Sequence, residues 1–204
     1  MSTLVLVLRS VSLLAFAGPM ALRVSERRKS TETTAGQGGS RAPVVANFAA
    51  FGVFFPSLLI FSGTAQASRA LAQAVSGCLL ALAGAALVLR SRAELRAAWS
   101  FVPKADHSTG LVTTGPYRLV RHPIYLGLIV LALGQALAFS NWFAGLIVLV
   151  GIVPTFVWRA GAEETLLSCT FGERYALYRR RTKMILPELF SSSGRVSAWP
   201  PRRK

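Results

Sequence analysis

The chain has 204 residues, of which 52% are hydrophobic and only 15% are charged. Soluble domains usually have about a quarter of their residues charged, so this composition excludes an ordinary soluble protein and indicates an integral membrane protein. The formal net charge of +15 lies in loops between apolar runs, without the recognition helix or aromatic-interleaved strands of a nucleic-acid-binding protein. We therefore expect these cations to set topology and to contact anionic lipid head groups, with no nucleic acid as partner.

Five apolar runs follow one another along the chain, and they predict an all-α membrane bundle of five transmembrane helices. The first three are Leu4 to Leu22, Val44 to Phe61 and Ala70 to Leu89, and each is close to the roughly 20 residues that a bilayer requires. The last two, Ile124 to Phe139 and Trp142 to Trp158, are shorter and have only two residues between them. We expect these two to form a tight helical hairpin that is tilted or does not fully cross.

The segments between and after the runs contain no second domain, so we predict a single membrane domain over residues 1–204. Residues 25–42 are polar and rich in Gly, Ser and Thr, residues 191–204 are similar, and both segments are expected to be flexible. The small residues at Ala15 to Ala17 are also typical of a signal-peptide cleavage site. However, Arg9 lies inside the run and a basic cluster follows it, the reverse of a signal peptide's order, so we predict a retained helix.

The basic residues predict the orientation of the bundle, because cytoplasmic loops retain Lys and Arg. If five spans alternate, 21 of the 23 basic residues fall on one side of the membrane, and only Arg9 and Arg69 lie elsewhere. We therefore place the N-terminus outside and the C-terminus in the cytoplasm.

Two polar clusters flank the predicted hairpin on that cytoplasmic side. The segment from Gly110 to Gly127 places His122, two arginines and two tyrosines directly against the fourth apolar run. Arg159, Glu163 and Glu164 follow the fifth run. Ionisable groups at the edge of the hydrocarbon mark functional sites, so we expect both clusters to belong to one active site.

A cytoplasmic helix is predicted after the fifth run. From Glu163 to Arg181 the apolar residues keep a helical spacing, with a break expected at Gly172. This amphipathic helix is expected to lie on the membrane surface or to cap the cytoplasmic ends of the spans.

Two further sequence features bear on packing. The third run has a face of small residues that predicts close contact with another helix and leaves the oligomeric state open: Gly77, Ala81, Gly84 and Ala85. Pro154 is expected to bend the fifth run and to open a lateral slot toward the lipid. With two cysteines far apart and only two histidines in the chain, we predict no metal centre.

Several motifs in order resemble the isoprenylcysteine carboxyl methyltransferases and their phospholipid methyltransferase relatives. They are Leu-Val-Thr-Thr-Gly-Pro-Tyr from Leu111, Arg-His-Pro-Ile-Tyr-Leu-Gly from Arg121, Arg159 with Glu163-Glu164, Phe-Gly-Glu-Arg-Tyr-Ala-Leu-Tyr from Phe171, and Ile-Leu-Pro from Ile185. The likeness covers residues 109–187, which we take as the methyltransferase-like catalytic region. Arg-His-Pro-x-Tyr by itself also occurs in membrane sterol reductases.

This resemblance implies S-adenosylmethionine as the methyl donor, with S-adenosylhomocysteine as product, in a cytoplasmic pocket between the hairpin and the C-terminal helix. It also implies a lipophilic methyl acceptor that enters from the bilayer. Carried over by position, Arg159 is expected to face the acceptor, with Glu163 as its catalytic partner. The residues implied to bind the cofactor are Thr109, Gly110, Leu111, Val112, Tyr117, His122, Pro123, Tyr125, Glu163 and Glu164.

Spacing along a helix agrees with these assignments. His122 and Tyr125 are three residues apart, and Arg159 and Glu163 are four apart, so each pair shares a helix face. Plainer interpretations stay open: Arg118 and Arg121 are expected to be interfacial anchors, and Arg159 with Glu163 can be an ordinary ion pair on a helix surface.

The acceptor chemistry also stays open at this point. A carboxylate acceptor needs no base but must be held, which an arginine does with two parallel hydrogen bonds. An amine or thiol acceptor needs a base, for which Glu163, Glu164 and His122 are the candidates. Carboxyl methylation of an isoprenylcysteine-like substrate is our first hypothesis, followed by methylation of a phospholipid or other small lipophilic molecule at nitrogen or sulfur. A nicotinamide-dependent reductase of the sterol type and a non-enzymatic scaffold are the further alternatives.

Overall fold

The computed structural model describes residues 3–27, 42–61, 67–95 and 110–186. The described residues fold into helices, with one isolated backbone bridge between Val120 and Lys183. The helices are α1 (Thr3–Arg27), α2 (Ala42–Ile60), α3 (Ala67–Leu95), a short 3-10 helix (Gly115–Arg118), α4 (Pro123–Ala138), α5 (Trp142–Ile147), a π-helical turn (Val148–Ile152), α6 (Val153–Phe171) and α7 (Glu173–Arg181).

Three helical segments are long and apolar enough to cross a membrane: Ala42–Ile60, Arg69–Leu95 and Trp142–Phe171. Two apolar helices, Thr3–Phe16 and Pro123–Ala138, are shorter. The protein is therefore an all-helical integral membrane protein. Of the five predicted spans, these lengths support three directly.

Helices α3 and α4 form the centre of the bundle as a close antiparallel pair. A methyl group added at Gly84 would lie 2.6 Å from the carbonyl oxygen of Gly127, and Gly77 faces Gly134 and Ala138 in the same way. Small residues allow helix backbones to approach this closely inside a membrane. The small-residue face predicted on the third run thus packs against α4 of the same chain.

Helix α4 is short and lies largely inside the protein. Twelve of its 16 residues are buried, and α1 as well as α3 packs against it. At its C-terminal end, Arg9 of α1 donates from Nε to the carbonyl oxygen of Ala138 at 3.0 Å. A cation at a helix C-terminus interacts favourably with the helix dipole, which explains an arginine inside the first apolar run.

The predicted hairpin is present between α4 and α5. Asn141 caps α5, since its side-chain oxygen accepts from the Ala144 amide at 2.9 Å, while its Nδ2 donates to Ser57 O of α2 at 2.8 Å. Helices α5 and α6 continue through the π-helical turn as one helix, Trp142–Phe171, of 30 residues. The helix continues beyond Trp158, where the fifth apolar run ends, and it includes Arg159, Glu163 and Glu164.

The π-helical turn ends directly before the segment that contains Pro154. Proline lacks the N–H that an α-helix needs at that position, and the local widening accommodates this. Asn47 of α2 donates to the Thr155 hydroxyl at 2.5 Å and so joins α2 to α6 here. A bend was expected at this point, and the lateral slot stays a prediction.

The C-terminal segment departs from the predicted single amphipathic helix. Residues from Glu163 to Phe171 belong to α6, and the helix ends at Gly172, whose φ of +50° favours glycine. The break at Gly172 was predicted, and α7 follows it with four arginines and one glutamate. Of the segments predicted to be flexible, residues 25–27 belong to α1 and residue 42 begins α2, whereas 28–41 and 191–204 lie outside the described residues.

Candidate active site

The site begins where the chain enters α4. The 3-10 helix at Gly115–Arg118 precedes it, and His122 is the residue before Pro123, the first residue of α4. Two backbone hydrogen bonds, Arg121 N to Lys183 O at 2.8 Å and His122 N to Met184 O at 2.9 Å, fasten the segment after α7 to this point. The chain around residue 183 thus closes over the N-terminal end of α4.

Glu163 of α6 is the centre of a first group of contacts. Its Oε1 accepts hydrogen bonds from the Tyr125 hydroxyl and from Arg159 Nε, the latter at 3.2 Å. Its Oε2 lies 3.6 Å from His122 Nδ1. The side chains of Arg159 and Glu163 are only 12% and 19% exposed, so this ion pair is largely shielded from solvent.

Glu164 is the centre of a second group, on the side toward α7. Its Oε1 accepts from Arg121 Nε at 2.6 Å and its Oε2 lies 3.6 Å from Arg179 Nε. The Arg121 guanidinium also donates to two backbone carbonyls, Arg179 O at 3.2 Å and Thr182 O. Arg121 therefore joins α4, α6 and the C-terminal segment, and the prediction that it is a simple interfacial anchor is wrong.

His122 lies between the two carboxylates. Its Nε2 is 3.5 Å from Glu164 Oε1, but the geometry is not that of a hydrogen bond, and the described residues offer this buried nitrogen no hydrogen-bonding partner. A buried polar atom without a partner is costly. It is thus a position at which a polar ligand group fits.

Aromatic rings connect this cluster to the bundle core. The His122 and Tyr125 rings are stacked with centroids 5.3 Å apart, and Tyr125 stacks on Phe156 at 4.9 Å. Arg159 lies over the Tyr125 ring, with its guanidinium carbon 5.5 Å from the ring centroid. Tyr125 therefore contacts both a cation and an anion of the cluster.

Tyrosines fix the 3-10 helix to α7. The Tyr178 hydroxyl donates to the Tyr117 carbonyl oxygen at 2.7 Å. Burial raises the pKa of Tyr117 and also that of Tyr175 and Tyr178 well above the ordinary value. These phenols are therefore neutral at physiological pH and act as hydrogen-bonding and packing groups.

The structure brings together most of the residues predicted from sequence. His122, Pro123, Tyr125, Arg159, Glu163 and Glu164 lie within one cluster at the N-terminal end of α4. Tyr117 is connected to it through Tyr178. Gly110, Leu111 and Val112 are half-buried residues leading into the 3-10 helix, and Thr109 lies outside the described residues.

Four residues around the cluster were not predicted as site residues from the sequence: Arg121, Tyr175, Tyr178 and Thr182. Tyr175 and Tyr178 gave a signal, since they are three apart on the apolar face of a predicted helix. The contribution of Thr182 is a backbone carbonyl, for which a sequence contains no signal.

Comparison with known proteins identifies the family of the chain. The profile of the phospholipid methyltransferase family matches residues 72–174, which is half of the chain. The chain belongs to this family. The match covers α3, α4, the long helix of α5 and α6, and the Gly172 break, and so includes both carboxylates of the cluster.

Three relatives illustrate the likeness. A protein-S-isoprenylcysteine O-methyltransferase of Schizosaccharomyces pombe is 34% identical over 103 residues, 48% of this chain and 44% of the relative. Protein-S-isoprenylcysteine O-methyltransferase B of Arabidopsis thaliana is 30% identical over 105 residues, 49% of this chain and 53% of the relative. The protein-S-isoprenylcysteine O-methyltransferase of Mus musculus is 34% identical over 84 residues, 41% of this chain and 29% of the relative. The chain thus spans about half or less of the length of these relatives, and the resemblance drawn from the motifs is confirmed.

Proposed function

We propose that this protein is an S-adenosylmethionine-dependent membrane methyltransferase that methylates the carboxylate of an isoprenylcysteine-like lipophilic acceptor. The single observation that supports this best is the cluster of His122, Tyr125, Arg159, Glu163 and Glu164 at one end of α4. Family membership and the names of the relatives supply the reaction class.

The cluster fits the cofactor. The buried His122 Nε2 lacks a partner among the described residues, and two carboxylates lie within 3.6 Å of the imidazole. A bound S-adenosylmethionine supplies an electrophilic methyl group on a positively charged sulfur. We assign Tyr117, His122, Pro123, Tyr125, Glu163 and Glu164 to holding it, together with the segment from Thr109 to Val112.

Arg159 is assigned to the acceptor. A carboxylate is already a nucleophile, so the protein needs to hold it in line and to shield the reacting groups from water. Arg159 lies at the edge of the cluster, over Tyr125 and beside Glu163. Its planar guanidinium suits a carboxylate, and Glu163 keeps the guanidinium oriented.

We further propose that five helices cross the membrane, with the N-terminus outside and the site in the cytoplasm. The distribution of basic residues supports this orientation. Val157 and Trp158, directly before Arg159 on α6, are 45% and 53% exposed, and these apolar side chains suit an acceptor with a hydrocarbon chain that arrives sideways from the bilayer.

A second candidate is methylation of a phospholipid amine, because the matching family is named for phospholipid methyltransferases. An amine acceptor must lose a proton, and Glu163, Glu164 or His122 would have to accept it. This candidate predicts that activity rises with pH as the amine is deprotonated, whereas a carboxylate acceptor is ionised throughout the neutral range.

Two measurements test these proposals in turn. Calorimetry of the purified protein should show binding of S-adenosylhomocysteine and no binding of a reduced nicotinamide; the opposite result would favour the sterol-type reductase, and binding of neither would favour a scaffold. Transfer of a labelled methyl group is then measured with an N-acetyl S-prenylcysteine and, separately, with phosphatidylethanolamine. Product from the first acceptor supports carboxyl methylation, and product from the second alone refutes it.

A further inference from the structure

An open cleft lies at the corner between α6 and α7, outside the cluster around Glu163. It has a volume of about 460 Å³ and is lined by Ser168, Gly172, Tyr175, Ala176, Arg179 and Arg180. We propose that this cleft binds a phosphate group. The assignment is independent of the methyl transfer proposed above.

The cleft is lined by positively charged side chains. Two of its lining residues are arginines, and α7 as a whole has four arginines against one glutamate. Guanidinium groups hydrogen bond to phosphate oxygens with two parallel N–H groups. Glu164 approaches from the active site and lies 3.6 Å from Arg179 Nε, but it pairs more closely with Arg121 at 2.6 Å, and Arg180 adds a further positive charge to the cleft.

The hydroxyl of Tyr175 is a hydrogen-bond donor without an acceptor among the described residues. Tyr175 lines the cleft and is only 1% exposed. Arg121 faces its hydroxyl oxygen, but the O–H has no acceptor in the part of the chain that the structure describes. Burial raises the pKa of Tyr175, so the hydroxyl keeps its proton and remains a donor. A phosphate oxygen is an acceptor that suits it.

The position of the cleft along the membrane normal also suits a phosphate group. The helix Trp142–Phe171 has 30 residues and is about 45 Å long at 1.5 Å per residue, close to the roughly 40–45 Å of a bilayer with its head groups. Trp142 at the opposite end is 80% exposed, as expected of an aromatic residue at a membrane interface. The corner at Gly172 therefore lies at head-group level, where both lipid phosphates and phosphate from the cytoplasm are available.

The cleft is close to the active site but distinct from it. The Ser168 hydroxyl donates to Glu164 O at 2.7 Å, so the cleft begins one helical turn beyond that carboxylate. Arg179 lies between the two, with its Nε 3.6 Å from Glu164 Oε2. Arg180 has no such role in the cluster, which makes it the residue to test.

The test is calorimetry of the full chain in a neutral detergent, with dihexanoyl phosphatidylglycerol and inorganic phosphate as separate probes. At least one probe should bind saturably. Arg180→Gln should weaken that binding about tenfold because a charged hydrogen bond is lost, and Ala176→Leu should weaken it by filling the cleft. Arg181→Gln removes the same charge from the next residue of α7, which does not line the cleft, and should have little effect.

Each outcome decides the matter. Binding of the lipid alone would mean that the site takes a head-group phosphate, and comparable binding of both probes would mean that it takes free phosphate. No saturable binding, or equal weakening by Arg180→Gln and Arg181→Gln, would overturn the proposal. Competition by S-adenosylhomocysteine would also overturn it, because the cleft would then be part of the cofactor site. Unchanged melting temperatures of the variants exclude misfolding.

Discussion

Single substitutions at Arg159 and at Glu163 should show which residue acts on the acceptor and which on the cofactor. Arg159→Lys keeps the positive charge but removes the planar fork, which a compact ammonium cannot replace. Glu163→Gln keeps the shape but removes the negative charge that accepts from Tyr125 and Arg159. Because both side chains are less than one-fifth exposed, solvent screens these changes only partly.

The sizes of the two effects follow from these contacts. A hydrogen bond to a charged group contributes about 1.5–3 kcal/mol, so loss of one such bond to the acceptor in Arg159→Lys corresponds to an about 10- to 150-fold fall in kcat/KM. Glu163→Gln removes the charge from a carboxylate that we assign to the cofactor, and a hydrogen bond to a charged group contributes about 1.5–3 kcal/mol. We expect affinity for S-adenosylhomocysteine to fall by roughly tenfold or more in that variant.

The assay combines calorimetry of S-adenosylhomocysteine with transfer of a labelled methyl group to an S-prenylcysteine acceptor. Arg174→Lys and Glu173→Gln are matched controls, because both residues lie exposed on α7, and neither change should alter binding or turnover. If Arg159→Lys abolishes cofactor binding but leaves turnover at saturating cofactor intact, the two roles are exchanged. If neither variant differs from its control, Arg159 and Glu163 form only a structural ion pair.

Three further predictions test the topology, the unpaired Nε2 of His122 and the ion pair of Arg121 with Glu164. A reporter fused after Lys204 should be cytoplasmic and one inserted after Ser140 should be outside; a C-terminus outside the cytoplasm contradicts the proposed location of the site. His122→Ala should weaken S-adenosylhomocysteine binding by about 1–3 kcal/mol, the contribution of a buried polar contact, whereas replacement of the exposed Arg118 should not; equal losses would indicate general destabilisation. Arg121→Met leaves Glu164 buried without its 2.6 Å partner, which costs about 3–5 kcal/mol and should lower the melting temperature in detergent by on the order of 10 °C; an unchanged melting temperature would contradict the assigned ion pair.

Local spacing explains why much of the site could be predicted from the sequence. His122 and Tyr125 lie at the start of one helix, and Arg159 and Glu163 are one turn apart on another, so helical geometry alone places each pair on a common face. The short connection at Ser140 and Asn141 makes these helices antiparallel neighbours. The position of Gly172 was likewise predictable, since glycine tolerates the backbone conformation that ends α6.

Long-range packing explains what the sequence did not predict. Arg121 adjoins an apolar run and therefore looks like an interfacial anchor. However, the backbone N–H groups of Arg121 and His122 donate to Lys183 and Met184, so a segment about sixty residues later in the chain covers this position. In the same way, the fifth apolar run ends at Trp158, but the helix continues through the charged residues that follow. These residues stay within the helix since they face α4 and its neighbours, where their charges are paired, and not the lipid.

The burial of α4 connects the fold to the site. A helix of 16 residues is too short to span a bilayer easily, but α4 is enclosed by other helices on most of its surface, with twelve residues buried. Its N-terminal end, which has the positive end of the helix dipole, therefore lies inside the protein. Glu163 and Glu164 lie beside that end, where Arg159 contacts Glu163 and Arg121 contacts Glu164. The close α3–α4 packing at Gly84 and Gly127 holds this end in place, so the glycines of the helix interface and the carboxylates of the site are parts of one arrangement.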